Sequence, residues 1–262
     1  MGNIKDKCYF LSDFHLGIPS KEESLQRERI IINFLDNIKD DAKDIYILGD
    51  VFDFWFEYKH VIPKGFVRLL AKIAELIEDG VNVHLFKGNH DLWEFSYLQD
   101  EIGVIYHRKP ETLICNNKKV HMAHGDGLGP DDIFYKLLLR FFECKFCQFL
   151  YKLIHPDVGI WFGLLLSNKH RYTKRHNSGK DTNIKVENEL LYKYTLKHME
   201  KEPQIDYFIF GHRHVPILKD LPNSNSKFVL LGDWMIHYSY AIIDGDGNLS
   251  LHKLNDLPQT NK

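Results

Sequence analysis

The sequence predicts a layered α/β fold with two sheets, flanking helices and a helical insertion. Three observations carry that expectation. Short runs rich in Val, Ile, Phe and Tyr recur along the chain, and five of them stop at a motif containing Asp, Asn or His, as buried strands do when they end in a turn. Helical periodicity fills the first two gaps between those runs. A long apolar helical stretch then interrupts the alternation between the fourth and fifth runs. The core is therefore assigned to residues 1–130 and 201–262, and the insertion, or lid, to residues 131–200.

The run at 8–11 leads into Ser12-Asp13-Phe14-His15. The run at 44–48 leads into Gly49-Asp50, that at 81–86 into Lys87-Gly88-Asn89-His90-Asp91, that at 119–123 into His124-Gly125-Asp126, and that at 206–210 into Gly211-His212-Arg213-His214. Leu25, Ile31, Ile32, Leu35 and Ile38 mark an amphipathic helix in the first gap. Phe66, Leu69, Leu70, Ile73, Leu76 and Ile77 mark a second, with Gly80 as its stop. Strand-helix-strand order implies right-handed crossovers and a parallel region. The tail alternates strand and turn at 227–231, 239–243 and 248–253, which reads as an antiparallel meander or a second sheet. In the insertion, Ile133, Phe134, Leu137, Leu138, Phe141, Phe142, Phe146, Phe149, Leu150 and Leu153 form one wide apolar face. A last helix is expected near 187–199.

Composition narrows the function. The formal charge of -2 over 262 residues exerts no global pull on nucleic acid, so a nuclease with a basic stripe is disfavoured, and no obligate protein partner is evident. Four cysteines without a disulfide framework, together with a polar N-terminus, suit a cytoplasmic protein with no signal peptide. Cys144 and Cys147 form a lone Cys-x-x-Cys without a second ligand pair, and read as packing residues of a helix rather than a zinc site. No stretch is long enough to span a bilayer.

Fifteen histidines are more than composition requires, and four of the five motifs carry one or more. In open α/β sheets ligands bind beyond the carboxyl ends of the strands, so the motifs can converge on one rim. Two divalent cations about 3.5–4 Å apart repel one another, favour a carboxylate between them and clamp a nucleophile against phosphate oxygens. Asp13 and His15, at i and i+2, can hold one ion; Asp50 is the bridging candidate; Asn89 contributes a neutral amide; His124, His212 and His214 complete the set. Such donors suit manganese, iron or zinc.

Taken in order, Asp13-Phe14-His15, Gly49-Asp50-Val51-Phe52-Asp53, Gly88-Asn89-His90-Asp91, His124-Gly125-Asp126 and Gly211-His212-Arg213-His214 resemble the pattern of the calcineurin-like metallophosphoesterases. The resemblance implies a two-sheet α/β/β/α sandwich with two metal ions. One would be held by Asp13, His15, Asp50 and His214, and the other by Asp50, Asn89, His124 and His212. His90 would act as acid or transition-state stabiliser, oriented by Asp91.

A narrower resemblance rests on Ile47-Leu48-Gly49-Asp50-Val51-Phe52-Asp53-Phe54-Trp55, on His124 through Asp132, on the insertion and on Leu231-Gly232-Asp233-Trp234. These resemble the UDP-2,3-diacylglucosamine pyrophosphatases of lipid A synthesis. That implies manganese-dependent cleavage to UMP and 2,3-diacylglucosamine 1-phosphate at the cytosolic face of the inner membrane, by a peripheral enzyme whose lid takes the acyl chains. At the third motif that family commonly reads Gly-Asn-Arg-Asp, whereas His90 stands here.

Two readings of the insertion stay open, a lipid lid or an ordinary subdomain or dimer interface. The basic segment 167–180 is a solvated loop, or it places Arg171 or Arg175, with the adjoining Ser167 and Asn168, on a substrate phosphate or near anionic headgroups. The alternative functions are hydrolysis of another phosphoester, nucleotide or phosphoprotein, and a non-catalytic binding module; the latter would show eroded ligands, and none is missing.

Overall fold

The computed structural model describes residues 5–129, 133–178 and 185–256. Its first sheet has the strand order β11-β10-β1-β2-β3-β4 and its second β5-β6-β7-β9-β8. The central strands β1 (Lys7–Leu11), β2 (Ala42–Ile47) and β3 (Asn82–Phe86) run parallel, joined by crossover helices α1 (Lys21–Ile38) and α2 (Val67–Glu78). In the second sheet β6 (Lys118–Ala123), β7 (Tyr207–Phe210) and β9 (Lys227–Leu231) are parallel. The carboxyl ends of β1, β2 and β3 in one sheet, and of β6 and β7 in the other, lead into the five polar motifs.

Both crossover helices match their periodicity, and local chemistry sets their starts. Ser20 caps α1, its hydroxyl accepting from the Glu23 amide at 3.1 Å and donating to the Glu23 carboxylate at 2.9 Å; such a cap contributes about 1 kcal/mol. Glu28, buried on α1, accepts from the Leu69 amide at 3.1 Å and so satisfies the first turn of α2. Three apolar clusters stack the layers. Ile31, Phe34, Leu35, Leu69 and Ile73 pack the helices on the first sheet. Phe10, Tyr46, Phe86, Met122 and Val229 lie between the sheets. Leu191 and Tyr192 of α6 (Leu190–Met199) cover Phe208, Phe210 and Phe228 on the outside of the second. The result is helix, sheet, sheet, helix, as the sequence predicts.

Three strands escape the sequence pattern. β4 (Ile105–His107) is a three-residue edge strand, too short for a periodic signal. β5 (Glu111–Cys115) alternates half-buried and exposed residues up to the buried Cys115 and turns into β6 through Asn116 and Asn117, both at positive φ (46° and 64°), a tight hairpin turn that Asn tolerates. β8 (Pro216–Asp220) starts with proline, which an edge position permits. The expected meander in the tail is also corrected. β9 lies parallel to β7, while the hairpin of β10 (Ser239–Ile243) and β11 (Leu249–Lys253) crosses to the first sheet and pairs antiparallel with β1. Pairing partners distant in sequence decide that split.

The insertion is three helices rather than one continuous face: α3 (Ile133–Glu143), α4 (Lys145–Lys152) and α5 (Pro156–Ser178). The break falls at Cys144, whose backbone is extended (φ -63°, ψ 116°). Cys144 is exposed and Cys147 half-buried, so the packing role expected for the pair is not what the fold provides. α6 packs on the second sheet, although its sequence lies within the expected insertion. Aromatic rings make several of its contacts to the core. Tyr151 sits 4.6 Å from the Phe56 ring and 4.7 Å from Trp93, and a Cβ on Gly163 would come within 2.3 Å of the Phe54 ring.

Two imidazoles, the buried His121 and the mostly buried His84, tie stability to pH. Burial, helped by His198, pushes His121 down to about 4, and burial with His107 pushes His84 down to about 4. Their folded values lie below the unfolded one near 6.5, so the unfolded chain binds more protons between those limits. Their stabilisation is therefore full above about pH 6.5 and lost as pH falls towards 4, on the order of 3 kcal/mol for each. Urea midpoints should fall steeply across that window; midpoints unchanged between pH 7 and 4.5 would contradict the assignment.

Candidate metal centre

The expected ligands come from five loops, and the backbone bends sharply to present them. Asp13, His15, Asp50, His212 and His214 all have positive φ, from 46° to 66°. For side chains other than glycine that region costs of order 1–3 kcal/mol per residue and persists only where the surroundings impose it. Here it turns each chain back over the strand it has just left. Glycines allow the loops to touch. A Cβ on Gly88 would lie 2.3 Å from the Asp50 amide nitrogen, and one on Gly211 would lie 1.9 Å from Ser12 Oγ.

Two carboxylates are each tethered by one oxygen and turned inward by the other. His212 donates its amide to Asp13 Oδ2 at 2.9 Å, and His90 donates its amide to Asp50 Oδ1 at 2.9 Å. The second oxygen of Asp13 is buried and accepts no hydrogen bond. It lies 3.3 Å from His214 Nε2 and 3.5 Å from His15 Nε2. Asp50 Oδ2 lies 3.4 Å from His15 Nε2 and 3.3 Å from His124 Nε2. One oxygen thus faces both halves of the cluster. Asn89 Oδ1 lies 3.0 Å from His124 Nε2 and 2.8 Å from His212 Nδ1. All seven expected ligands meet at this rim.

The histidines are oriented from behind. His124 donates Nδ1–H to the Leu48 carbonyl at 2.7 Å. His214 Nδ1 faces Asp233 Oδ2 at 3.2 Å, and His15 Nδ1 faces Asp53 Oδ1 at 3.5 Å. In these three, Nε2 is directed at the carboxylates. Fixing one ring nitrogen on a carboxylate or carbonyl leaves the other unprotonated and ready to ligate, as metal-bound histidines require. Asp233 is itself locked by the amides of Met235, Ile236 and His237. Burial alone would raise it, but the His214 and His237 contacts hold it well below the usual carboxylate range.

Charge inside the cage is unbalanced by the protein. Burial would raise Asp50, yet His124, His90 and His15 hold it far below its ordinary value; burial would lower His124, yet Asp50 and Asp13 raise it well above. Asp13 is raised, its burial outweighing the contacts with His214 and His124. The cluster draws positive charge inward, and Asp13–His15–His214 and Asp13–Asp50–His124 each bring their donor atoms within 4.8 Å of one another. Hard oxygen and imidazole donors in that arrangement fit two divalent cations.

Asp91 is corrected. Expected to orient His90, it instead turns its buried carboxylate to the backbone, accepting from the Gly88 and Val51 amides at 2.8 Å each. The Asp50 amide is a third donor, at 3.4 Å; three converging loop amides need an internal acceptor, and Asp91 supplies it; burial and Asp50 push it up to about 7. His90 is held by Asp53, donating Nδ1–H to its carbonyl at 2.9 Å with the carboxylate at 3.6 Å. Ser167 of α5 donates to Asp53 Oδ2 at 2.5 Å and lies 3.1 Å from His90 Nδ1. The side chains of Asn168, Arg171 and Arg175 lie outside the described residues. The sequence reading gave no role to Asp53, Asp233 or Arg27. The first two stand inside the quoted motifs, as Gly-Asp-Val-Phe-Asp and Leu-Gly-Asp-Trp. Arg27 signals itself as a charge on the apolar face of α1; it donates to the His15 carbonyl at 2.7 Å.

Asp53→Ala should leave the fold intact while weakening divalent-metal retention roughly 10–100-fold, the usual effect of losing a ligand's supporting partner. Calorimetric titration with Mn²⁺ reads this; an unchanged affinity would remove Asp53 from the support of the site.

Comparison with known proteins agrees with this geometry. Residues 7–216 match the family model for calcineurin-like phosphoesterase. A UDP-2,3-diacylglucosamine hydrolase from Porphyromonas gingivalis is 37% identical, over 97% of this chain and 100% of its own length. One from Histophilus somni is 24% identical, over 92% of this chain and 97% of its own. Among solved structures, vacuolar protein sorting 29 from Cryptosporidium parvum is 13% identical, over 97% of this chain and 94% of its own, with a TM-score of 0.48. With most of its length matched, and with the motifs that carry the match gathered at one rim, the chain belongs to the calcineurin-like phosphoesterase family.

Proposed function

We propose that this protein is a dinuclear metal-dependent hydrolase that cleaves UDP-2,3-diacylglucosamine to UMP and 2,3-diacylglucosamine 1-phosphate. The observation that carries the reaction class is Asp50 Oδ2, set within 3.4 Å of His15 Nε2 and 3.3 Å of His124 Nε2, the position of a bridging ligand. Asp13, His15, Asp50 and His214 would hold one ion, and Asp50, Asn89, His124 and His212 the other, with manganese the preferred metal and iron or zinc compatible. Such a pair, when bound, activates water and polarises a phosphoryl oxygen.

The chain's own groups do the rest. Asp53 fixes His90 through Nδ1, so Nε2 is the nitrogen offered to a phosphoryl or leaving oxygen. Asn89 adds a neutral oxygen where a further carboxylate would repel an anionic substrate. Asp91 serves the site by holding the loop of Gly88 to His90 against that of Asp50.

The diacylated substrate is supported by the full-length match to the Porphyromonas gingivalis protein and by the surface of the insertion. Leu137, Phe141, Phe146, Phe149, Leu153 and Trp161 are exposed there, more greasy surface than a monomer leaves without a use. We take the insertion as α3 to α5, with α6 part of the core, and place acyl chains against those helices. Ser167 links them to Asp53 and His90. No described helix is long and apolar enough to cross a membrane, and a lipid substrate would be met by a protein resting peripherally on the cytosolic side. His90, where the lipid-cleaving relatives commonly carry arginine, favours a second reading in which the scissile phosphate belongs to a smaller phosphoester.

Hydrolysis assays with Mn²⁺ separate the two. UDP-2,3-diacylglucosamine should turn over and unacylated UDP-N-acetylglucosamine should not; equal rates on both would discard the lipid assignment. His90→Ala should lower kcat roughly 100–1,000-fold, while Asp50→Ala should abolish turnover with the circular dichroism spectrum unchanged. Full turnover by Asp50→Ala would remove Asp50 from the mechanism, and no turnover of either substrate by the intact, Mn²⁺-loaded protein would point to a binding scaffold.

A further inference from the structure

Away from the metal centre, the corner between α3 and α4 brings two thiols to the surface. Cys144 is the residue that caps the amino end of α4, and Cys147 lies three positions on. Cys144 is exposed and Cys147 partly exposed, whereas Cys8 and Cys115 are fully buried between the sheets. A residue at the amino cap and the one three positions on meet across the first turn of a helix, which brings the pair within the reach a disulfide needs. The start of a helix also presents amides without intrahelical partners, which favour a thiolate over a thiol. The Cys147 amide and thiol and the Phe146 amide hold the Cys144 thiol below its ordinary value, while burial and Cys144 raise Cys147. One sulfur is thus suited to attack and the other to resolve.

The corner is held in place by the core. Phe142 O accepts from Trp93 Nε1 at 2.8 Å and from Gln148 Nε2 at 3.1 Å, and Glu143 pairs with Lys87, which directly precedes Gly88 and Asn89. Both flanks of Cys144 are therefore pinned. No second ligand pair accompanies them among the described residues, so a four-ligand metal site is not completed.

We propose that Cys144 and Cys147 are a redox-active dithiol that closes to an intramolecular disulfide on reaction with a small-molecule disulfide such as oxidised glutathione. The Cys144 thiolate attacks one glutathione sulfur, forming a mixed disulfide and releasing one glutathione thiolate. Cys147 then loses its proton and attacks the Cys144 sulfur, and the second glutathione leaves. Two cysteine thiols become one disulfide, and one oxidised glutathione becomes two reduced ones. The site does not depend on the substrate assigned to the metal centre.

Full-length protein incubated with oxidised glutathione should lose the mass of two hydrogens, lose two of its four thiols and yield a peptide linked through Cys144 and Cys147. Cys147→Ser should stop at the mixed disulfide and gain one glutathionyl group on Cys144. Cys144→Ser should react at Cys147 at least roughly tenfold more slowly. A bridge mapped to Cys8 and Cys115, equal reactivity of the two single variants, or four thiols still free after incubation would overturn the proposal. So would a stoichiometric Zn²⁺ complex at the pair that forms while no disulfide does.

Discussion

The structure is organised around a concentration of buried carboxylates and imidazoles that the protein leaves short of positive charge. Asp13, His15, Asp50 and His124 are all within 2% of complete burial, and an ionised acid in such surroundings is costly unless paired. Hydrogen bonds from the His212 and His90 amides satisfy one oxygen of each acid. The inward oxygens face imidazole nitrogens that are themselves committed on their far side. Cations placed between these groups would satisfy both sets at once, and the surrounding architecture is a means of holding the donors in position.

The two-sheet frame supplies the means. Parallel strands deliver all their carboxyl ends to one side, so β1, β2 and β3 offer three loops, and β6 and β7 offer two more across the sandwich. Strained left-handed residues then bend the loops after β1, β2 and β7, and glycines 49, 88 and 211 let neighbouring loops approach to backbone contact. The strain is distributed over three loops and met by packing rather than by any single bond. That is why a residue such as Asp91, which need not touch a metal, belongs to the site's stability.

The insertion answers a different constraint. Its helices anchor by aromatic contacts around Trp93, Phe54 and Tyr151 and leave their other face greasy and open. Anchorage near the third motif, through Lys87, Trp93 and Ser167, ties the position of the helices to the loop that carries Asn89 and His90. The greasy face of the insertion and the candidate metal centre are thereby held in register.

Much of this was legible in the residues alone. Strand runs ending in Asp, Asn and His, with helical periodicity between them, determined the parallel core, the rim and all seven candidate ligands, because burial period and ligand chemistry are local properties. What surrounds the ligands was not local. Asp53 rather than Asp91 meets His90, because the loop amides of Gly88 and Val51 compete for Asp91. The tail strands divide between sheets because β10 finds β1, more than two hundred residues away. The apolar face of the insertion breaks at Cys144, where the chain turns extended between two helices. The sequence alone therefore determined which groups could bind metal, while the tertiary structure decided which partner orients each one, since that depends on distances between chain segments that no periodicity encodes.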